Sequence, residues 1–184
     1  MALNHNALIS GLLTLFISLI AIYDLRERRI PNALVFPAAL IGLFLNAWLG
    51  WNGLWFGLQG LVAGFALLLI PYLFRVMGAG DVKFLAAIGA FIGAFGSVRS
   101  LLFALLIYPL LALFFVLQQG KLMLTLRRFG LVLSRVAGLV IPSFRLYAMR
   151  LETINDETIP SATTPFALSL SAGTLVAIYT NWLR

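Results

Sequence analysis

The stretch ALISGLLTLFISLIAIYDLRERRIPN, Ala7–Asn32, contains the pattern that decides the fold. It begins with an apolar run, Ala7–Tyr23, whose length is close to that of a helix that crosses a bilayer. The run ends at Asp24, and a short basic loop leads into Ile30-Pro31-Asn32, where the next apolar run starts. Little positive charge precedes the first run, so we expect a retained helix and not a cleaved signal peptide.

The composition extends this pattern to the whole chain. Of the 184 residues, 62% are hydrophobic and 10% are charged, and the mean hydropathy is +1.03. A soluble domain of this size could not bury so much apolar surface, so the sequence predicts an integral membrane protein. The apolar runs have the length of helices and not of the short alternating strands of a barrel, which predicts an all-α fold.

About six apolar runs are candidate membrane spans, which predicts a polytopic protein with a single transmembrane domain over residues 1–184. They are Ala7–Tyr23, Asn32–Leu49, Leu54–Phe74, Val82–Phe95, Leu101–Leu117 and Phe166–Leu183. Glycines recur at four-residue spacing, as at Gly60 and Gly64 and at Gly89 and Gly93. In a membrane this spacing lets helix backbones approach closely.

The basic residues orient the predicted spans. Eleven of the thirteen Lys and Arg residues fall in the first, third and fifth loops, and the other two, Arg99 and Arg184, fall on the opposite side. Because short basic loops stay in the cytoplasm, we expect both termini outside. Asp24 and Asp81 then share the cytoplasmic face.

The fifth loop, Gly120–Pro160, is too long and too apolar for a plain linker. Lys121, Arg128 and Arg135 recur every seven residues and therefore share one helical face. This pattern predicts an amphipathic helix in the headgroup layer, held by apolar burial and by anionic membrane lipids. We interpret it as a surface anchor, and docking of a substrate is the alternative.

The scarce residue types exclude several kinds of chemistry. The chain has no Cys, which excludes thiol catalysis, disulfides and Cys-ligated zinc. Its one His, His5, is too little for a multi-histidine metal site and makes a Ser-His dyad unattractive. We therefore expect no metal and no cofactor. The formal net charge of +7 does not indicate nucleic-acid binding, because the basic residues lie in loops between apolar helices.

Two of the six acidic residues stand at the edges of apolar runs. Asp24 ends the first run, and Asp81, within GAGDVK at residues 78–83, precedes the fourth. An ionised carboxylate is costly at a membrane boundary, so each acid marks a candidate functional site. Two such acids suggest a carboxylate pair.

The residues beside the two acids supply shape and charge. Gly78 and Gly80 allow a tight turn that a substrate backbone could approach. Pro31 can serve as the first residue of the second helix, and Asn32 either caps that helix or hydrogen-bonds near the site. Lys83 either steers an acidic residue of a substrate or faces phospholipid.

Together these strings resemble the type IV prepilin peptidase family, whose members are membrane aspartyl proteases of the GxGD kind. The resemblance lies in an acid six residues before Ile30-Pro31-Asn32 and in Gly-x-Gly-Asp-x-Lys about fifty residues later. The continuation GAGDVKFLAAIGAFIG is similar to the family's second catalytic segment. IPSATTPFALSLSAG, Ile159–Gly173, is similar to its closing segment.

The resemblance implies that Asp24 and Asp81 are the catalytic pair of an aspartic-type endopeptidase. The substrate would be a prepilin or pseudopilin, whose basic leader is removed at the cytoplasmic face of the cell inner membrane. The supporting residues in the two motifs would be Ile30, Pro31, Asn32, Gly78, Gly80 and Lys83. The oligomeric state is left open.

The chain differs from longer family members in one respect. Those members carry an N-terminal cytoplasmic region with paired Cys-x-x-Cys motifs and also methylate the new N-terminus. No Cys is present here, so the chain resembles the short form of the family, and the resemblance leaves open whether it methylates its product. Such forms serve tight-adherence (Flp-type) pili in bacteria or archaellin-like substrates in archaea.

Two carboxyl groups in one site are expected to share a proton. The dipoles of the predicted helices favour negative charge at Asp81, near a helix start, and disfavour it at Asp24, near a helix end.

Three other interpretations assign a different function to the chain. A small transporter or channel subunit would use them as a proton relay, an assembly scaffold would not need them, and an intramembrane protease of the presenilin-like GxGD type would share the motif Tyr23-Asp24.

Overall fold

The computed structural model describes residues 2–27, 30–74, 77–118 and 166–182. Within these ranges every element of secondary structure is a helix, so the prediction of an all-α fold is confirmed there. In chain order the helices of the described part are α1 (Ala2–Glu27), α2 (Asn32–Ala47), α3 (Trp51–Leu73), α4 (Ala79–Gln118) and α5 (Phe166–Trp182). The amphipathic helix predicted between residues 120 and 160 lies outside the described residues.

The chain divides into two compact units. The first comprises Met1–Pro109 and Pro165–Arg184, and it contains both Asp24 and Asp81. The second comprises Leu110–Thr164, of which the described part, residues 110–118, is helical.

Three of the described helices are long and apolar enough to cross a membrane: α1 from Ala7 to Glu27, α3 and α4. Helix α2 and residues 166–180 of α5 are apolar but shorter. The count of six spans is therefore not confirmed. The predicted fourth and fifth spans, Val82–Phe95 and Leu101–Leu117, both fall within α4, which consists of two helical segments joined at a kink at Gly93.

Helix α4 contains a break at Gly93, where φ is 74° and ψ is −178°. This backbone conformation is accessible to glycine and strained for other residues. A Cβ atom at Gly93 would also collide with the ring of Phe56 on α3. The sequence predicted an interruption between Phe95 and Leu101, whereas the break lies a few residues earlier, where glycine permits the backbone to turn.

Asn46 on α2 donates hydrogen bonds to backbone carbonyls just before the break. Its Nδ2 atom lies 2.9 Å from the carbonyl oxygen of Ala90 and 3.2 Å from that of Phe91. It also lies 3.1 Å from the Gly42 carbonyl oxygen in its own helix. A break removes intrahelical donors from nearby carbonyls, and a side-chain amide can replace them. Asn46 is 3% exposed, so it supplies these bonds away from solvent.

Glycines allow α3 and α4 to pack closely. A Cβ atom at Gly60 would collide with the carbonyl oxygen of Gly89, and one at Gly64 would collide with that of Leu85. The prediction of close backbone approach at these glycines is therefore confirmed. The Ser97 hydroxyl donates to the Gly93 carbonyl within α4 at 3.0 Å, and it also lies 3.4 Å from the Gly60 carbonyl oxygen on α3.

The core of the first unit brings α1 together with α4 and α5. Leu13, Ile17 and Ile20 recur at helical spacing on α1 and are fully buried. Phe16 lies edge-on to Phe84 of α4, with ring centroids 5.7 Å apart. The hydroxyl of Ser171 on α5 donates to the Ile17 carbonyl at 3.2 Å. The opposite face of α1 exposes large apolar side chains, as expected of a helix that faces lipid; they include Leu8, Leu12, Leu15 and Leu19.

Candidate active site

Asp24 lies near the C-terminal end of α1, on the face of the helix that enters the core. It follows Ile17 and Ile20 at helical spacing, and all three side chains point away from solvent. Its side chain is only 7% exposed, whereas those of its neighbours Tyr23 and Leu25 are exposed by 40% and 47%. The helical phase that buries the apolar face therefore also buries this carboxyl group.

Asp81 lies in the first turn of α4 and is partly buried. The Gly78 N–H donates to the Asp81 carboxylate oxygen Oδ2 at 3.3 Å. In return, the Asp81 N–H donates to the Gly78 carbonyl at 3.2 Å. The side chain thus reaches back to the residue that precedes the helix, as the acidic residue of a capping box does. Partial burial and a charge on Asp24 disfavour a negative charge on Asp81, whereas this turn and the helix dipole favour it.

The structure brings the two predicted acids together. They are separated by 57 positions in the sequence (81 minus 24), yet a charge on Asp24 acts electrostatically on Asp81. Asp24 arrives from the end of α1 and Asp81 from the start of α4, so neither helix alone forms the site. The arrangement provides two carboxyl groups in one partly buried place, which is the chemistry needed to share a proton. Their role as a catalytic pair stays a prediction.

Gly80 and Ile30 connect the two motifs directly. A Cβ atom at Gly80 would lie 3.1 Å from the Cβ atom of Ile30, so a side chain there would crowd the loop between α1 and α2. Gly78 is less confined, because the nearest atom to a Cβ there would be Asp81 Oδ2 at 3.4 Å. Gly80 therefore permits a close approach between the motifs, and Gly78 supplies backbone to the Asp81 turn.

Pro31 differs from its predicted role in starting α2, and for Asn32 the structure shows the second of its two predicted roles, a hydrogen bond near the site. The helix begins at Asn32, and Pro31 is the N-cap residue with φ −72° and ψ 128°, so Pro31 is not the first helical residue. The Pro31 carbonyl accepts the N–H of Leu34 at 3.1 Å. The Asn32 side chain does not cap α2; its Oδ1 atom accepts a hydrogen bond from the Lys83 ammonium at 3.1 Å.

Phe36 is a further residue at this place that the sequence analysis did not identify. The Lys83 ammonium lies 5.5 Å from the centre of its ring, within the range of a cation–π contact. Phe36 follows Asn32 by four residues, so a helix that begins at Asn32 places both on one face. This four-residue spacing was the feature of the sequence from which Phe36 could have been identified. Lys83 thus contacts α2 through the side chains of Asn32 and Phe36.

Within the described residues, no group of three His, Cys, Asp or Glu side chains could hold a metal ion.

Two cavities of about 400 and 410 Å³ share Arg99 among their lining residues, and neither lining includes a predicted site residue. The first cavity contains Ser10, which precedes Asp24 by fourteen residues of α1, or about 21 Å along a helix. These cavities are therefore separate from the two acids.

The comparison with protein families identifies the chain. The family model of the type IV leader peptidase family matches residues 11–117, which is more than half of the chain. The matched segment contains both acids, the Ile30-Pro31-Asn32 string and the GAGDVK string. Among curated proteins and solved structures, no match was found. The chain belongs to the type IV leader peptidase family and is a membrane peptidase.

Proposed function

We propose that this protein is an aspartic-type endopeptidase that removes the basic leader of a prepilin or pseudopilin. Asp24 and Asp81 are its catalytic pair. The observation that carries the proposal is that these two acids, from different helices inside the segment that matches the family, lie near enough for a charge on Asp24 to act on Asp81. Acids at the edges of apolar helices are costly to retain, and their convergence is what a carboxylate pair requires.

In the proposed reaction the pair holds one proton. Burial and the neighbouring Asp24 act against a charge on Asp81. We nevertheless assign the negative charge of the pair to Asp81, because Gly78 donates to its carboxylate, it lies at a helix start, and Asp24 is the more deeply buried of the two. Asp81 removes a proton from water, while the protonated Asp24 donates a hydrogen bond to the carbonyl of the scissile peptide. The water oxygen bonds to the carbonyl carbon, the C–N bond breaks, and a proton passes to the departing amine. No covalent enzyme intermediate is needed.

The proposed topology has six crossings in one transmembrane domain of the cell inner membrane. Helix α4 supplies two of them, divided at the Gly93 break, and α1, α2, α3 and α5 supply one each. Both termini are then outside, and the acids face the cytoplasm, where the basic leader of the substrate lies. Trp48 and Trp51, exposed in the connection between α2 and α3, suit a membrane interface on the other side.

The substrate class follows from the family and from the proposed cytoplasmic position of the two acids. We propose prepilins of the tight-adherence (Flp) type, whose leader ends just before a hydrophobic helix. A proton-relay transporter would place its acids along a path through the membrane. Here Asp24 lies in the last turns of α1 and Asp81 in the first turn of α4, which favours a reaction at one edge.

Co-expression with a candidate prepilin tests the proposal, with removal of the leader followed as a mobility shift on a gel. Asp24→Asn and Asp81→Asn are each expected to abolish the shift while the protein stays in the membrane. Glu27→Gln is the matched control, because Glu27 is an exposed acid on the same helix as Asp24. The proposal fails if either Asp variant processes the prepilin as the Glu27 variant does. Proton flux into liposomes without cleavage would instead favour the transporter.

A further inference from the structure

Lys83 joins the first turn of α4 to the first turn of α2. Its ammonium donates to Asn32 Oδ1 at 3.1 Å and lies 5.5 Å from the centre of the Phe36 ring. Both partners belong to α2 and are one helical turn apart, so they hold one ammonium group between them. We call Lys83, Asn32 and Phe36 the lysine bridge.

The lysine bridge is one of two contacts that flank Asp81. On one side, Gly80 lies against Ile30, with 3.1 Å between the Ile30 Cβ and a Cβ built at Gly80. On the other side, Lys83 follows Asp81 by two residues and reaches Asn32. Ile30 lies just before α2 and Asn32 is its first residue, and both follow α1, which carries Asp24, closely in sequence. The Asp81 turn is therefore attached at two points to the segment that follows Asp24.

We propose that Lys83 is a positioning residue, which holds the Asp81 turn at its working distance from Asp24 through Asn32 and Phe36. The inference rests on the proposed function of the two acids. It replaces both roles that the sequence left open for Lys83, because its ammonium is engaged by side chains of α2. Neither steering of an acidic substrate residue nor contact with phospholipid is required of it.

Such a bridge is useful because the reaction tolerates little displacement of the two carboxyl groups relative to each other. A carboxyl pair shares a proton and activates water over a narrow range of distances, and a misplacement of about 1 Å can lower a rate by about 100-fold. The Gly80 contact has no side chain on the α4 side, so by itself it leaves the turn free to slide. The lysine bridge supplies the directional contact that the glycine lacks.

Kinetics on a purified prepilin distinguish positioning from substrate binding. Lys83→Met and Asn32→Ala are each expected to lower kcat by about 10- to 100-fold with KM nearly unchanged. The double variant is expected to be no slower than the slower single variant, because both remove the same contact. Lys83→Arg should restore most of the rate, since Arg donates to an amide oxygen and stacks on an aromatic ring. Arg99→Met, which removes a distant cation from α4, is the control.

A cross-linking measurement tests the same inference without relying on activity. The chain has no Cys, so Ile30→Cys with Gly80→Cys introduces a single thiol pair. Their Cβ atoms are close enough to form a disulfide after a shift of a few tenths of an ångström. With Lys83 present we expect rapid oxidation, and with Lys83→Met or Asn32→Ala we expect it to slow several-fold.

The possible outcomes separate this inference from the proposed function. If Asp24→Asn and Asp81→Asn are inactive while Lys83→Met and Asn32→Ala keep both wild-type kcat and wild-type cross-linking, the inference is overturned and the proposed function stands. A rise in KM for Lys83→Met that disappears with a substrate lacking acidic residues overturns it in favour of substrate steering. If the Asp variants are active, the proposed function itself fails.

Discussion

Replacement of Asn46 by leucine tests whether its amide supports the break in α4. Leucine has a similar size, so the substitution removes the hydrogen bonds and leaves little cavity. The wild-type side chain is 3% exposed, and its Nδ2 lies 2.9 Å and 3.2 Å from the Ala90 and Phe91 carbonyl oxygens. In the variant these two buried carbonyls lose that donor.

The expected loss follows from the two interhelical bonds. Such a bond between membrane helices contributes about 0.6 kcal/mol on average and at most about 1.7 kcal/mol. Two of them predict a loss of about 1–3 kcal/mol in the free energy of unfolding. The third bond, to Gly42, lies within α2 and adds little, because that carbonyl keeps its place in the helix.

Reversible unfolding in mixed micelles measures this loss. Asn52→Leu is the matched control, because Asn52 lies exposed in the first turn of α3, where a surface substitution changes stability by less than about 0.5 kcal/mol. We expect Asn46→Leu to unfold at clearly lower denaturant than this control. Equal stability of the two variants would refute the view that the amide supports the break.

Three further predictions concern the glycines and the pH dependence. Gly60→Ala should destabilise the fold by about 1–3 kcal/mol, because its Cβ would collide with the Gly89 carbonyl. The control is Gly11→Ala, which should be neutral or stabilising because no atom lies within 4 Å of its Cβ. Equal unfolding midpoints of the two variants would contradict the close packing. Gly93→Ala should lower the free energy of unfolding by about 1–2 kcal/mol from the positive φ at this position alone. Adding Phe56→Ala to the same chain should relieve only the collision between the new Cβ and the Phe56 ring. Full recovery of the free energy of unfolding in this double variant would therefore count against backbone strain. The rate of leader removal should fall at both acidic and alkaline pH, because one carboxyl group must be ionised while the other holds a proton. Initial rates that do not change over the pH range in which carboxyl groups titrate would argue against a shared proton.

The two acids illustrate what the sequence can predict. Asp24 and Asp81 were identifiable because each interrupts an apolar run, and an ionised group at that position needs a reason. The face of α1 that buries Ile17 and Ile20 also determines where Asp24 points, so its inward orientation follows from helical spacing. The family match covers both positions.

The exact position of the break in α4 illustrates what the sequence could not predict, although an interruption of this apolar run was expected. Residues 82–117 are apolar almost throughout, and hydropathy alone does not locate a turn within such a run. The residues beside the break, Asn46 and Phe56, lie on other helices and are remote in sequence. The same limit applies to the partner of Asn32, because a hydrogen bond near the site was one of its two predicted roles, but the sequence did not identify Lys83, 51 positions away, as the donor.

The central claim is that Asp24 and Asp81 act as one catalytic unit. The most direct test is the initial rate of leader removal by the purified protein in lipid, compared among the wild type, Asp24→Asn, Asp81→Asn and the double variant. We predict that each single variant falls to the background rate and that the double variant is no slower, since residues that act as a unit are not additive. A substantial rate in either single variant, with a further loss in the double variant, would contradict the claim.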